Sequence, residues 1–224
     1  MPITPSALTA GYVQRPVQLD GALEDALWEG TESYPLLQPG SAQQAEPEES
    51  GRVRLLYDDQ HLYVGVALAD RDVVQEEDRD HQHHYLTGDV AEVFLKPTAA
   101  GATHYWELYV TPNGRKSSLF FPGRGRLGLP GAMTPMPGLE VAAKVYGTLN
   151  DWRDEDKGWS AVMAVPLAVL GEHGHMPPES PWSILVARYN YGRQLSQPEL
   201  TCCPRMPRAA WHEPEHWATL RFAK

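Results

Sequence analysis

The stretch Arg52-Val53-Arg54-Leu55-Leu56-Tyr57-Asp58-Asp59-Gln60-His61-Leu62-Tyr63-Val64-Gly65-Val66-Ala67-Leu68-Ala69 decides the fold class. Val53, Leu55 and Tyr57 alternate with Arg52, Arg54 and Leu56. After the polar break at 58–61, Leu62, Val64, Val66 and Leu68 alternate with smaller residues. A period of two places side chains on opposite faces of a strand, and a short polar break between two such runs makes a hairpin. A third run, Val90 to Leu95, sets Ala91, Val93 and Leu95 against Glu92, Phe94 and Lys96, so its second face mixes ring and charge.

Outward from this hairpin the pattern repeats. Tyr105 to Thr111 sets Trp106, Leu108 and Val110 against Tyr105, Glu107, Tyr109 and Thr111, and Pro112-Asn113-Gly114 turns the chain. Leu139–Tyr146, Trp159–Pro166, Trp182–Tyr191 and a closing segment with Ala218, Leu220 and Phe222 read as further strands. Pro166 to Gly171 reads as one helical turn closed by glycine. Asp20 is expected to cap a short helical turn through Ala22, Leu23, Ala26, Leu27 and Trp28, whose apolar residues plug the core. Met1 to Gln18 reads as an unpatterned arm, residues 38–51 as a loop with solvated glutamates, and residues 120–138 as a wide Gly/Pro loop. Gly123-Arg124-Gly125-Arg126 in that loop lacks a preceding strand and a phosphate-loop lysine. Eight or more irregularly spaced strands predict an all-β chain, an antiparallel, jelly-roll-like β-sandwich with one or two short helices.

Composition agrees. Twenty prolines and 19 glycines in 224 residues suit many turns between short strands. The 42% hydrophobic content and mean hydropathy of -0.43 suit one domain spanning residues 1–224. A formal charge of -10 opposes a nucleic-acid partner, which basic clusters would have to hold. No run of about 18 apolar residues predicts a membrane span. As written, the chain begins without a basic, apolar leader, so a cytoplasmic setting is expected, or secretion if a leader was removed. The two cysteines, Cys202 and Cys203, are neighbours and expected to stay reduced. Seven tryptophans and ten tyrosines supply flat faces that suit sugar rings as well as cores.

Two groups of residues carry candidate chemistry. If the strand at 105–111 pairs with that at 90–95, Glu92 and Phe94 share a face with Tyr105, Glu107 and Tyr109. That face is either a solvated surface whose carboxylates pair with Arg115 and Lys116, or a groove that hydrogen-bonds a polyol while rings cover its C–H side. Arg188 and Asn190, at the end of the apolar face of 182–191, point to an edge or pocket. The second group is the loop 70–88, rich in Asp, Glu and His, which reads as long and exposed. Asp70, Asp72 and Asp89 offer hard oxygens for calcium, although no EF-hand spacing is present. The run His81, His83, His84 lacks the spacing of known zinc sites and is expected to be solvated.

The order of these motifs resembles the family 9 carbohydrate-binding modules and their relatives. The resemblance rests on Asp20-Gly21 with Trp28, on 53–70 with Leu62-Tyr63-Val64, and on Gly88-Asp89-Val90-Ala91-Glu92-Val93-Phe94-Leu95. It continues through Tyr105–Gly114, Gly158-Trp159 to Val165-Pro166-Leu167, and His212-Glu213-Pro214-Glu215-His216-Trp217. It implies a β-sandwich that binds ends of glucans and xylans without catalysis, holding a sugar between two rings; some members carry calcium. Carried over, the strand acid falls on Glu92 and the preceding ring on Tyr85. The tail departs: Leu200-Thr201-Cys202-Cys203 stands where the family has Leu-Ser-x-Trp, so Cys203 replaces a stacking tryptophan. Trp211 stands where phenylalanine is usual and Ala218 where glycine is common. The ligand-binding set is thus Tyr85, Glu92, Tyr105, Glu107, Tyr109, Arg115, Arg188, Asn190 and Trp211. Two other classes stay open. One is a glycoside hydrolase using Glu92 and Glu107. The other is a haem or protein-interaction sandwich, with His104, Met133 and Met136 as axial candidates.

Overall fold

The computed structural model describes residues 6–40, 46–124 and 133–224. The strands are β1 (Ala7–Tyr12), β2 (Tyr34–Leu36), β3 (Gly51–Tyr57), β4 (His61–Leu68), β5 (Val90–Pro97), β6 (Tyr105–Val110), β7 (Lys116–Phe121), β8 (Glu140–Val145), β9 (Trp159–Pro166), β10 (Trp182–Asn190), β11 (Glu199–Cys203) and β12 (Ala218–Ala223). One short helix, α1 (Leu167–Leu170), follows β9. The fold is all-β, as the alternating runs predict.

The strands join in the order β7-β6-β5-β10-β12-β1-β3-β4-β9-β8, with β11 added on β10 and β2 on β3. The hairpin β3–β4 forms at the break read from sequence, with Tyr57 opposite Leu62 and Val53 opposite Val66. Strand β10 pairs with β12 through Trp182–Ile184 and with β11 through Val186–Asn190, while β3 takes β2 at its start and β1 at its end. These changes of partner fold the sheet over on itself, and its inner faces meet in one core. There Val53, Leu55 and Val64 of one half share a cluster with Val93, Leu108 and Val186 of the other. Burying these side chains drives the closure, at roughly 1.5–3 kcal/mol for each fully buried large aliphatic.

Four expectations are corrected. The supposed arm contains β1, which lies parallel between β12 and β3 in the middle of the sheet. The helical turn near the N-terminus is confined to Ala26–Trp28 and its cap is Asp25, which accepts from the Leu27 amide at 2.9 Å; Asp20 accepts from the Ala22 amide instead. Glu49 in the 38–51 loop is not solvated but buried, bound by Arg71, Asn190 and Gln194. The 70–88 segment is not an exposed loop: Asp70, Asp72, Gln75 and His84 are buried in it. His84 hydrogen-bonds the Arg79 carbonyl at 3.0 Å and the Ser117 hydroxyl at 3.1 Å, so the histidine run is not a solvated cluster. Residues 125–132 of the Gly/Pro loop lie outside the described residues, and its start belongs to β7.

Gly88 sets the entry to β5. Its φ is 152°, Gly88 pairs with Gln75, and a Cβ there would lie 2.3 Å from the Val74 carbonyl oxygen. That oxygen accepts the Asp89 amide at 2.7 Å. Gly88→Ala is therefore expected to cost about 2 kcal/mol and lower the melting temperature by about 4–8 °C in a thermal scan.

Candidate functional site

Register alone brings the two glutamates together. Glu92 of β5 stands opposite Tyr109 of β6, and Phe94 opposite Glu107, so all four point from the same outer face. On β10 Ala187 stands opposite Glu92, which turns Leu185, Ala187 and Tyr189 to that face as well. The face carries a second apolar cluster that includes Phe94, Tyr105, Tyr109, Phe121, Leu185, Met206, Trp211 and Trp217. The segment after β11 covers it. Within that segment the Trp217 indole N–H donates to the Trp211 carbonyl at 2.9 Å, which fixes the backbone that carries Trp211.

A cleft of about 250 Å³ opens in this cover. Its base is Glu92, Glu107 and Tyr109 with Leu119 and Phe121; the segment before β5 adds His83 and Tyr85, β10 adds Tyr189, and the tail adds Ala209, Ala210, Trp211 and His212. The tyrosines touch one another: Tyr85 and Tyr189 lie 5.4 Å apart between ring centres, tilted by 34°, and Tyr85 meets Tyr109 edge-on at 6.2 Å.

The electrostatics are unusual. Glu92 is 1% exposed, and neither of its carboxyl oxygens has a hydrogen-bond partner. Burial, followed by the charge of Glu107, pushes its pKa well above the usual carboxylate range, so the group is held neutral. Glu107 accepts the Tyr109 hydroxyl at 2.7 Å; burial raises its pKa to about 7 although that bond opposes the shift. His212 Nε2 lies 3.9 Å from Glu107, and its Nδ1 is 2.9 Å from the Tyr105 hydroxyl. Partial burial lowers the pKa of His212, although its side chain is still 45% exposed. One neutral carboxyl, one carboxyl near its midpoint at neutral pH and a ring of aromatic faces can bind a polar molecule that also has an apolar side.

The structure gathers Tyr85, Glu92, Glu107, Tyr109 and Trp211 of the expected set around this cleft. Tyr105 lies behind it, fully buried, stacked on Phe121 at 4.6 Å. Arg115 sits exposed at the β6–β7 turn and Lys116 pairs with Asp80, so neither neutralises the two glutamates. Arg188 and Asn190 lie on the opposite, inner face of β10, completely buried. Arg188 Nη2 bonds Asp70 at 3.0 Å and Asn190 at 2.7 Å, and Asn190 bonds Glu49 at 2.8 Å. Residues Tyr189, His83 and His212 were missed. Tyr189 was signalled by alternation, since it must face away from Arg188.

The expected calcium ligands are otherwise engaged. Asp70 accepts from Asp72 N and Arg188, Asp72 from the Arg193 backbone and guanidinium, and Asp89 from Val74 N and Tyr191 N. Every carboxylate oxygen of the trio thus has a protein donor, and among the described residues no group of three or more ligands is arranged to hold a metal ion. Nor are the haem candidates brought together: Met136 belongs to the inner core, Met133 packs on the outer cluster, and His104 stacks on Phe120 beside His173. Cys203, where the resemblance places a stacking tryptophan, faces the inner core, while Cys202 faces the outer cluster.

Comparison with known proteins agrees with this architecture. Residues 19–110 match the family model described as carbohydrate family 9 binding domain-like. A crystal structure from Bacteroides uniformis ATCC 8492, provisionally assigned as carbohydrate-binding, superposes with a TM-score of 0.69 at 18% identity, covering 96% of this chain and 98% of that one. A family 9 carbohydrate-binding module from Caldicellulosiruptor kristjanssonii in complex with cellotriose gives 0.64 at 15% identity, with 97% and 93% covered. The same organism's module in complex with glucose gives 0.63 at 15% identity, with 96% and 95% covered. No curated protein matches.

Proposed function

From a chain similar to family 9 carbohydrate-binding modules in sequence and in fold, we propose a non-catalytic domain that binds the end of a glucan or xylan chain in the cleft around Glu92 and Trp211. The observation that carries this reading is the placement of two buried carboxyls among tyrosine and tryptophan faces on one outer sheet face. Carboxyls hydrogen-bond hydroxyl groups, and ring faces cover the C–H side of a sugar. At about 250 Å³ the cleft has the liquid volume of about eight waters, which suits one terminal ring better than an extended chain.

Binding is favoured over hydrolysis by the state of the two acids. A glycosidase needs one ionised and one protonated carboxyl with access to the bond being cut. Here burial raises both pKa values, so neither acid is the fully ionised partner at neutral pH that hydrolysis needs.

Calorimetric titration with glucose, cello-oligosaccharides and xylo-oligosaccharides tests the proposal, with tryptophan fluorescence followed in parallel. Binding heat and a fluorescence change are expected, and Trp211→Ala is expected to weaken affinity about tenfold or more, the loss of one stacked ring at roughly 1–3 kcal/mol. Absence of heat with unchanged fluorescence overturns the reading. Turnover of a chromogenic glycoside would replace it with hydrolysis.

A further inference from the structure

The cleft gathers two carboxyls, and the described residues that line it bring no lysine or arginine to balance them. Both oxygens of Glu92 lack partners, and Glu107 beside it receives one hydroxyl, from Tyr109. Arg208, next to the lining residue Ala209, pairs with Glu213, Arg124 pairs with Glu215 at 2.7 Å, and Arg188 binds Asp70 in the inner core. The rings of Tyr85, Tyr109, Tyr189 and Trp211 surround the same space. Aromatic faces present negative charge, so rings and carboxyls together form a seat for a cation.

We propose, on the basis of the sugar-binding reading above, that the preferred ligand is an amino sugar whose ammonium group sits between Glu92 and Glu107 with its ring against the tyrosines. A neutral sugar hydroxyl offers a single donor to this pair of carboxyls. An ammonium offers three donors and no lone pair, enough for both Glu92 oxygens and one of Glu107. It also supplies the positive charge that lets two adjacent carboxyls ionise together, which they cannot do alone. The titratable groups facing this seat are Glu92, Glu107, His83, His212 and the tyrosines. Partial burial disfavours the charged form of His212, whose side chain is 45% exposed, and the absence of lysine and arginine among the described lining residues leaves the role of cation to the ligand.

The test is calorimetry at pH 7 and low salt with glucosamine, glucose and N-acetylglucosamine, on the intact chain. Glucosamine is expected to bind at least tenfold tighter than the other two, an advantage that shrinks in high salt. In Glu92→Gln that ratio is expected to fall toward one, and Glu107→Gln gives the same readout should the first variant fail to fold. Equal or tighter binding of glucose, or a ratio unchanged in folded variants, overturns the amino-sugar assignment and leaves sugar binding standing. No heat with any of the three sugars overturns both.

Discussion

Arg188→Met is expected to lower the unfolding free energy by about 3–5 kcal/mol, read as a shift of the urea midpoint at unchanged slope. The guanidinium is fully buried and bonds Asp70 at 3.0 Å, lies 4.0 Å from Glu49, and bonds Asn190 at 2.7 Å. Burial raises the pKa of Asp70, and burial plus the Asp70 charge raises that of Asp89 well above the usual range; the arginine's charge opposes both shifts. Methionine keeps much of the volume but leaves Asp70 and Asp89 enclosed without their cation, while Glu49 keeps Arg71. The wider effect is an uncompensated buried charge rather than a lost contact. A variant as stable as the parent would show that these acids are protonated at little cost and that the pair contributes nothing. Because Arg188 faces the inner core, sugar affinity measured on the folded fraction is expected to stay within threefold of the parent.

The second large effect concerns pH. The folded pKa of Glu107 is about 7 against an ordinary value of 4.5. The stability linked to this raised group is fully present below about pH 4.5 and is lost as pH rises toward 7, because the folded state binds the extra proton in that window. The span corresponds to about 3 kcal/mol at 1.36 kcal/mol per pH unit. Buried His84 and the partly buried His104 and His212, with lowered pKa values, act in the opposite sense and lose stability as pH falls. The clean observable is therefore a difference. Relative to the parent, Glu107→Gln is expected to become more stable by about 3 kcal/mol between pH 4.5 and 7.5, with no further change above. Denaturant titrations of both proteins across that range check it, and a flat difference would mean that Glu107 is ionised at ordinary cost.

The sheet was legible where alternation was strong and pairing local. Val53–Tyr57, Leu62–Leu68, Val90–Leu95 and Tyr105–Val110 each carry the period-two pattern, and their pairing by itself puts Glu92, Glu107 and Tyr109 on one face. Strand β1 was not legible. Ala7-Leu-Thr-Ala-Gly-Tyr12 is short and small-sided, and its partners Ala218–Ala223 and Leu56–Tyr57 lie far away along the chain. Arg188 and Asn190 were misplaced for a different reason. They were read correctly on the face of Ile184 and Val186, but polar residues ending an apolar face were taken to mark an opening. They mark an enclosed ionic cluster instead, whose acids come from residues 49 and 70 and leave no periodic trace. The same alternation, followed on the opposite face, leads to Tyr189.

The parallel placement of β1 between β12 and β3 also bears on biosynthesis. A chain emerging from the ribosome makes Ala7–Tyr12 long before Ala218–Ala223, yet these two are neighbours in the sheet. Hairpins such as β3–β4 can form as they appear, whereas the seam uniting the two halves must wait for β12. Contacts this distant along the chain slow assembly and leave strand edges open meanwhile. During synthesis β1 can meet β3 early through Gly11 and Tyr12, but its other edge stays open until residues 218–223 have emerged.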